Sequence, residues 1–150
     1  MPAPGNPWKS YRQIATQTAP PGQLVLMLYD GAIRFLESSL VGFSYTDPAE
    51  RNTAIHNNIN RALNIVRELN FSLNTDAGGE LAQTLEGLYS YFERRLLDSN
   101  RYKRREGIDE VIVHLKELRT AWATMLSNQG QPPLGPVPSG DWENPDLRAA

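Results

Sequence analysis

The sequence predicts an all-α fold, an antiparallel four-helix bundle with an N-terminal cap segment and a disordered C-terminal tail. Three observations predict it. Apolar residues recur at three- and four-residue spacing through four segments of about 20 residues each. No stretch alternates with the period of two that a half-buried strand needs. The connections between the periodic segments are short, which makes consecutive helices antiparallel neighbours.

The first 20 residues form the cap segment. They carry Pro2, Pro4, Pro7 and Pro20, and between them Trp8, Tyr11 and Ile14 at i, i+3 and i+6. That spacing gives a turn or short helix with one large apolar face that packs on something. The bundle follows over residues 21–127. Its first helix is predicted from Pro21 to Val41, with Pro21 in the first turn, where a missing N–H costs nothing. Within it "LVLMLY", Leu24 to Tyr29, is apolar around nearly the whole circumference. Such a helix is buried on several sides or awaits a partner.

The second helix opens at "DPAE": Asp47 is the cap, Pro48 the first helical residue, and Glu50 completes a pattern like a capping box. It runs to about Leu73. Its buried stripe is Ile59, Ala62, Val66, Leu69 and Leu73. The same helix holds Asn57, Asn58, Asn60, Asn64 and Asn70, although asparagine competes with the backbone for hydrogen bonds and is a mediocre helix former. Asn57, Asn60 and Asn64 fall on a stripe of their own beside the buried one. Ile55 and Leu63 lie near it, and Ile65 lies outside the core stripe, so a mixed face of amides and exposed aliphatics is expected. An amide has two donors and an acceptor with two lone pairs, so it can satisfy the backbone of a peptide lying alongside. A merely solvated asparagine face fits the same pattern.

"NTDAGG" is a turn cluster. The third helix is predicted from about Glu80 to Asn100, with Leu81, Leu85, Leu88, Phe92 and Leu96 on one stripe. "NRYKRREG" then breaks the chain. Its Arg101, Lys103, Arg104 and Arg105 suit a helix C-terminus, where cations complement the helix dipole; the weaker rival reading is a nucleic-acid-binding module in which they touch phosphate. The fourth helix runs from about Glu106 to Leu126 through Ile108, Val111, Ile112, Leu115, Leu118, Trp122 and Met125. Residues 128–150 are rich in Pro and Gly and bury little, and they form the tail. Trp142 there could anchor on a surface or be tethered by nothing.

Function classes narrow by exclusion. The net charge of −2 names no nucleic acid or membrane partner. There is no cysteine, hence no disulfide framework and no thiolate metal site. The longest apolar run is far short of the roughly 18 residues a membrane span requires, and the N-terminus lacks the apolar core of a signal peptide. His56 and His114 have no carboxylate at metal-ligand spacing, no phosphate-binding loop is present, and "GFSYT" is not a nucleophile elbow. The expected protein is soluble, is not an enzyme, and uses no metal or cofactor.

Five stretches in order resemble the FliS family of flagellin-specific export chaperones, from roughly Asn6 to Met125. They are "NPWKSYRQ", "TAPPGQLVLMLYDGAIRFLE", "RALNIVRELNFSLN", "LYSYFERRLLDSN" and "LRTAW". Three departures stand out: Pro20 where Ser or Thr often caps the first helix, Trp8 where Tyr is common, and a longer, more Pro-laden tail. The resemblance implies a cytosolic helical bundle that binds the disordered C-terminal segment of unpolymerised flagellin. It also implies delivery of that client to the membrane-embedded export gate. On it, Asn64 is the family-pattern asparagine and hydrogen-bonds client backbone, with Ala62, Leu63 and Ile65 giving apolar contact and Asn57 and Asn60 extending the stripe. Tyr11 and Ile14 belong to a segment that covers the groove and moves aside for the client. An anti-sigma factor is a further candidate partner, and a second copy filling the groove would make a homodimer. The rival reading is a helical regulatory adaptor that binds a helix of some other protein.

Overall fold

A computed structural model describes residues 21–73 and 75–128. Tyr11, Ile14 and the predicted tail from residue 129 onward lie outside the described residues. Four helices follow one another: α1 (Pro21–Gly42), α2 (Pro48–Phe71), α3 (Thr75–Tyr102) and α4 (Glu106–Asn128). Each helix packs on the next, and α4 returns to α1, which closes the four-helix bundle. No strand occurs among the described residues, and no helix there is long and apolar enough to cross a membrane.

The apolar girth of α1 is used from within. Leu26, Met27, Leu28, Tyr29, Ala32, Ile33 and Leu36 are all buried. The helix packs on α2 and α4 and reaches α3 diagonally through a hydrogen bond between the Tyr29 and Tyr89 hydroxyls. It then unwinds through i→i+3 bonds, with the Ser44 amide donating to the Val41 carbonyl at 2.9 Å. At the start of α2 the Asp47 carboxylate accepts the Glu50 amide at 2.9 Å, and Pro48 opens the helix. That is the cap read from the sequence.

The helical residues of α3 are interrupted at Gly79, whose φ of 58° and ψ of −130° lie where a side chain would clash. Beyond it, Ala82, Leu85, Tyr89, Phe92 and Leu96 face the core. Leu81, assigned from the sequence to the buried stripe, is instead 59% exposed. The 3-4-3-4 series that ends on Phe92 and Leu96 passes through Ala82 and Tyr89, so Leu81 falls to its side.

The turn into α4 is tight. Lys103 has φ 52°, a left-handed conformation that lets the Arg104 amide donate back to the Ser99 carbonyl at 3.0 Å. The Lys103 ammonium donates to both the carbonyl and the side-chain oxygen of Asn100, at 2.6 and 2.8 Å. These bonds help hold a residue other than glycine in a position that glycine favours. The first turn of α4 then lies directly on α3: a Cβ on Gly107 would sit 2.9 Å from the Arg95 carbonyl oxygen. Ion pairs bind neighbouring helices at the surface, Arg67 to Glu93, Arg95 to Glu110, and Lys116 to Glu37. Half-buried Arg119 forks onto Asp30 between α4 and α1.

Candidate partner-binding site

The asparagines of α2 have separate uses. Asn58 is spent within the helix, donating to the Ala54 carbonyl at 2.9 Å. Asn60 lies 2.9 Å from His56 Nε2, and Asn100 of α3 lies 3.0 Å from His56 Nδ1. A neutral imidazole has one donor and one acceptor nitrogen. Lys103 occupies the Asn100 side-chain oxygen, so the Asn100 amide N–H donates to Nδ1. Asn60 turns its Nδ2 to the other ring nitrogen, and a neutral imidazole accepts from only one of the two amides. The chain from Lys103 through Asn100 to His56 ties α2 to the end of α3. Asn57 is exposed and Asn64 half-buried, and neither has a hydrogen-bond partner among the described residues.

The aliphatics that were to flank these amides are elsewhere. Ala62 is 0% exposed, and Leu63 and Ile65 are each 1% exposed, as fully covered as Ile55 and Ile59. The sequence reading of an exposed mixed face is corrected here. The cause is the position of α2 between α1 and α3. At 100° per residue, Leu63 and Ile65 lie about 80° to either side of the stripe's centre. One packing partner would leave that arc open; two close it. The outward face of α2 is therefore amide and charged.

An apolar opening lies at the end of the bundle where α2 stops and α3 begins. Its volume is about 330 Å³, and its walls are Val25, Leu69, Leu73, Leu81, Leu85 and Trp122, with Tyr29 and Tyr89 beneath. Trp122 is fixed by donation from its Nε1 to the Gly22 carbonyl at 3.1 Å. Burial pushes the ionisation of both tyrosines upward, so both hydroxyls stay protonated. Two hydroxyls bonded to each other use one of their two protons. The second proton is left for an acceptor, such as a peptide carbonyl. The sequence reading missed this opening, because its residues come from all four helices. It also passed over Phe71, which is 87% exposed. Phe71 lies two turns after Asn64 on the same face and ends the amide stripe close to Leu69 and Leu73. The signal for it was an aromatic residue off the buried stripe.

The remaining polar groups are tied into structure. Glu110 accepts from the Tyr91 hydroxyl at 2.6 Å and from Arg95 Nε at 2.7 Å. His114 stacks on Phe92 and lies 3.2 Å from Glu117. No group of three acidic or histidine side chains among the described residues could hold a metal ion.

Comparison with known proteins gives one consistent result. The chain is 32% identical over 124 residues to the flagellar secretion chaperone FliS of Bacillus subtilis, covering 83% of this chain and 89% of that one. It is 34% identical over 119 residues to its namesake in Salmonella typhimurium, covering 76% and 85%. With that of Escherichia coli it shares 32% over 123 residues, covering 79% and 88%. A family model described as flagellar protein FliS matches residues 4–129. On that span, and with four helices in the order the motifs require, the chain belongs to the FliS family.

Proposed function

We propose that this chain is a cytosolic secretion chaperone for flagellin and has no catalytic role. It binds the C-terminal segment of the unpolymerised subunit, keeps it from assembling early, and helps present it to the flagellar export apparatus. Family membership supports the reading. The observation that carries it within the structure is the outward amide face of α2, which leads through Phe71 to an apolar opening. A peptide that folds on binding needs backbone partners as well as a place to bury side chains, and this surface offers both.

In this reading Asn57, Asn60 and Asn64 meet client backbone; the amides of Asn57 and Asn64 are not engaged among the described residues, unlike that of Asn60, and Asn64 contributes most because it is the asparagine of the family pattern. Ala62, Leu63 and Ile65 act from behind by fixing α2 against the core, and the opening takes the client's apolar side chains. Tyr11 and Ile14 cover the opening in the idle protein.

The test is calorimetric titration with the C-terminal segment of flagellin from the same organism. One-to-one binding is expected. Asn64→Ala should weaken it by roughly tenfold, the equivalent of one hydrogen bond, while stability moves by less than about 1 kcal/mol. Binding untouched by the substitution would keep the chaperone and discard the amide stripe. Absence of binding would favour the helical adaptor.

A further inference from the structure

The far end of the bundle, at the α3–α4 turn, carries two arginines without an ion pair among the described residues. Arg101 and Arg104 hold their guanidinium groups 5.2 and 5.5 Å from the centre of the Tyr102 ring, one from each side of the turn. Tyr102 is 55% exposed. Neither arginine makes an ion pair among the described residues, whereas Arg95 and Arg105 pair with Glu110 and Asp109. Beside them is an opening of about 290 Å³ whose lining includes Tyr102, the cations Arg95 and Arg104, and the acids Asp98 and Glu106. Guanidinium groups over an exposed aromatic ring favour a ligand that is both planar and acidic.

The chain contains such a ligand. Residues 141–146 read Asp-Trp-Glu-Asn-Pro-Asp. With Arg148 they give the segment after Asn128 a net charge of −2, which is the net charge of the whole chain. The rest of the chain is therefore neutral overall, and the corner around Tyr102 is a local excess of positive charge. The length also fits. Twelve residues separate Asn128 from Asp141, among them Pro132, Pro133, Pro136 and Pro138. An extended proline-rich run of that length spans about 40 Å. The 23 residues of α4 that separate Asn128 from the turn rise about 35 Å.

We infer that residues 141–146 dock in cis on the α3–α4 corner, with Asp141 and Glu143 paired to Arg101 and Arg104 and Trp142 in the opening beside Tyr102. Asp98 and Glu106 offer acceptors to the indole N–H, which a buried tryptophan needs. The tether keeps the acidic segment at high effective concentration, so weak surface pairs suffice. The inference stands apart from the flagellin reading, because the corner lies at the opposite end of the bundle from the apolar opening.

The absence of cysteine makes the test direct. Ser139→Cys gives the full-length chain a single attachment point for a paramagnetic label, and amide signal loss is then read by NMR. Selective loss is expected at Tyr102, Lys103 and Arg104. It should disappear in high salt and in the tail variant Asp141→Asn/Glu143→Gln/Asp146→Asn, which leaves every residue of the four helices unchanged. Loss centred on Leu73 and Leu81 would place the segment at the other end and overturn the inference. So would uniform or absent loss, or loss that survives in the tail variant. Mixing labelled chains with isotope-enriched unlabelled ones separates cis from trans: loss in the enriched copies would make the site an interface between two molecules and refute docking in cis.

Discussion

Glu110 joins two helices through one carboxylate, and its surroundings set how the bundle responds to acid. The Tyr91 hydroxyl first, and the Arg95 guanidinium second, hold its ionisation below the usual glutamate range. A carboxylate whose folded value is depressed contributes stability that is present above its unfolded value and lost as pH falls through the folded one. The unfolded value is near 4.5, so the contribution fades in the acid range below that. Asp30 has the opposite sign: burial raises it more than Arg119 lowers it, so acidification relieves a cost there. The prediction is that Glu110→Gln lowers Tm modestly at neutral pH, modestly because the group is one-third exposed, and flattens the fall of Tm with pH below about 4.5, so that the two proteins converge in acid. A wild-type acid slope retained in the variant would refute the role of Glu110.

At the scale of elements, the close approach of α3 and α4 rests on Gly107. Gly107→Ala puts a methyl 2.9 Å from the Arg95 carbonyl oxygen, and backbone cannot step aside as a flexible side chain can. Overpacking of this kind costs about 1–3 kcal/mol, to be read as a lower denaturant midpoint with an unchanged slope. Gly87 lies in α3 with open space around it, so Gly87→Ala should stabilise by roughly 0.5–1 kcal/mol. The two substitutions are chemically identical and should move the midpoint in opposite directions. The elements themselves were legible in the sequence wherever a local rule decides them. Asp47 and Pro48 start α2 by capping chemistry, and the 3-4 spacing of Ile108, Val111, Ile112 and Leu115 commits α4 to one face. What the sequence withheld depends on neighbours. Leu63 and Ile65 are buried because α2 has two packing partners, and no periodicity in α2 reports how many helices surround it. The same holds for the opening, whose walls are contributed by every helix. Asn64 was legible as an amide on the outward face, whereas Asn60 had already been claimed by His56, a contact that depends on where α3 ends.

For the whole molecule, the chain enters α1 and leaves α4 at one end of the bundle, and the apolar opening is at that same end. The proposed division is a cap of residues 1–20, a bundle of residues 21–127 and a tail from 128, although α4 takes in Asn128. It follows that the cap has little distance to cover. Tyr11 is ten residues before Pro21, a reach of at most about 35 Å when extended. Among the described residues α1 to α4 build one core, with Tyr29, Leu36, Ile59, Phe92, Ile108 and Leu115 covered within one cluster. Deleting residues 1–20 should therefore leave helical content and cooperative unfolding in place while raising the binding of a dye that reports apolar surface. The gain should fall away when the flagellin segment is added, if client and cap compete for one opening as proposed. Equal dye binding by the deleted and intact chains would show that nothing in the first 20 residues covers the opening. A gain that persists with client bound would separate the cap's surface from the client's, and Tyr11 and Ile14 would then protect a different face of the bundle.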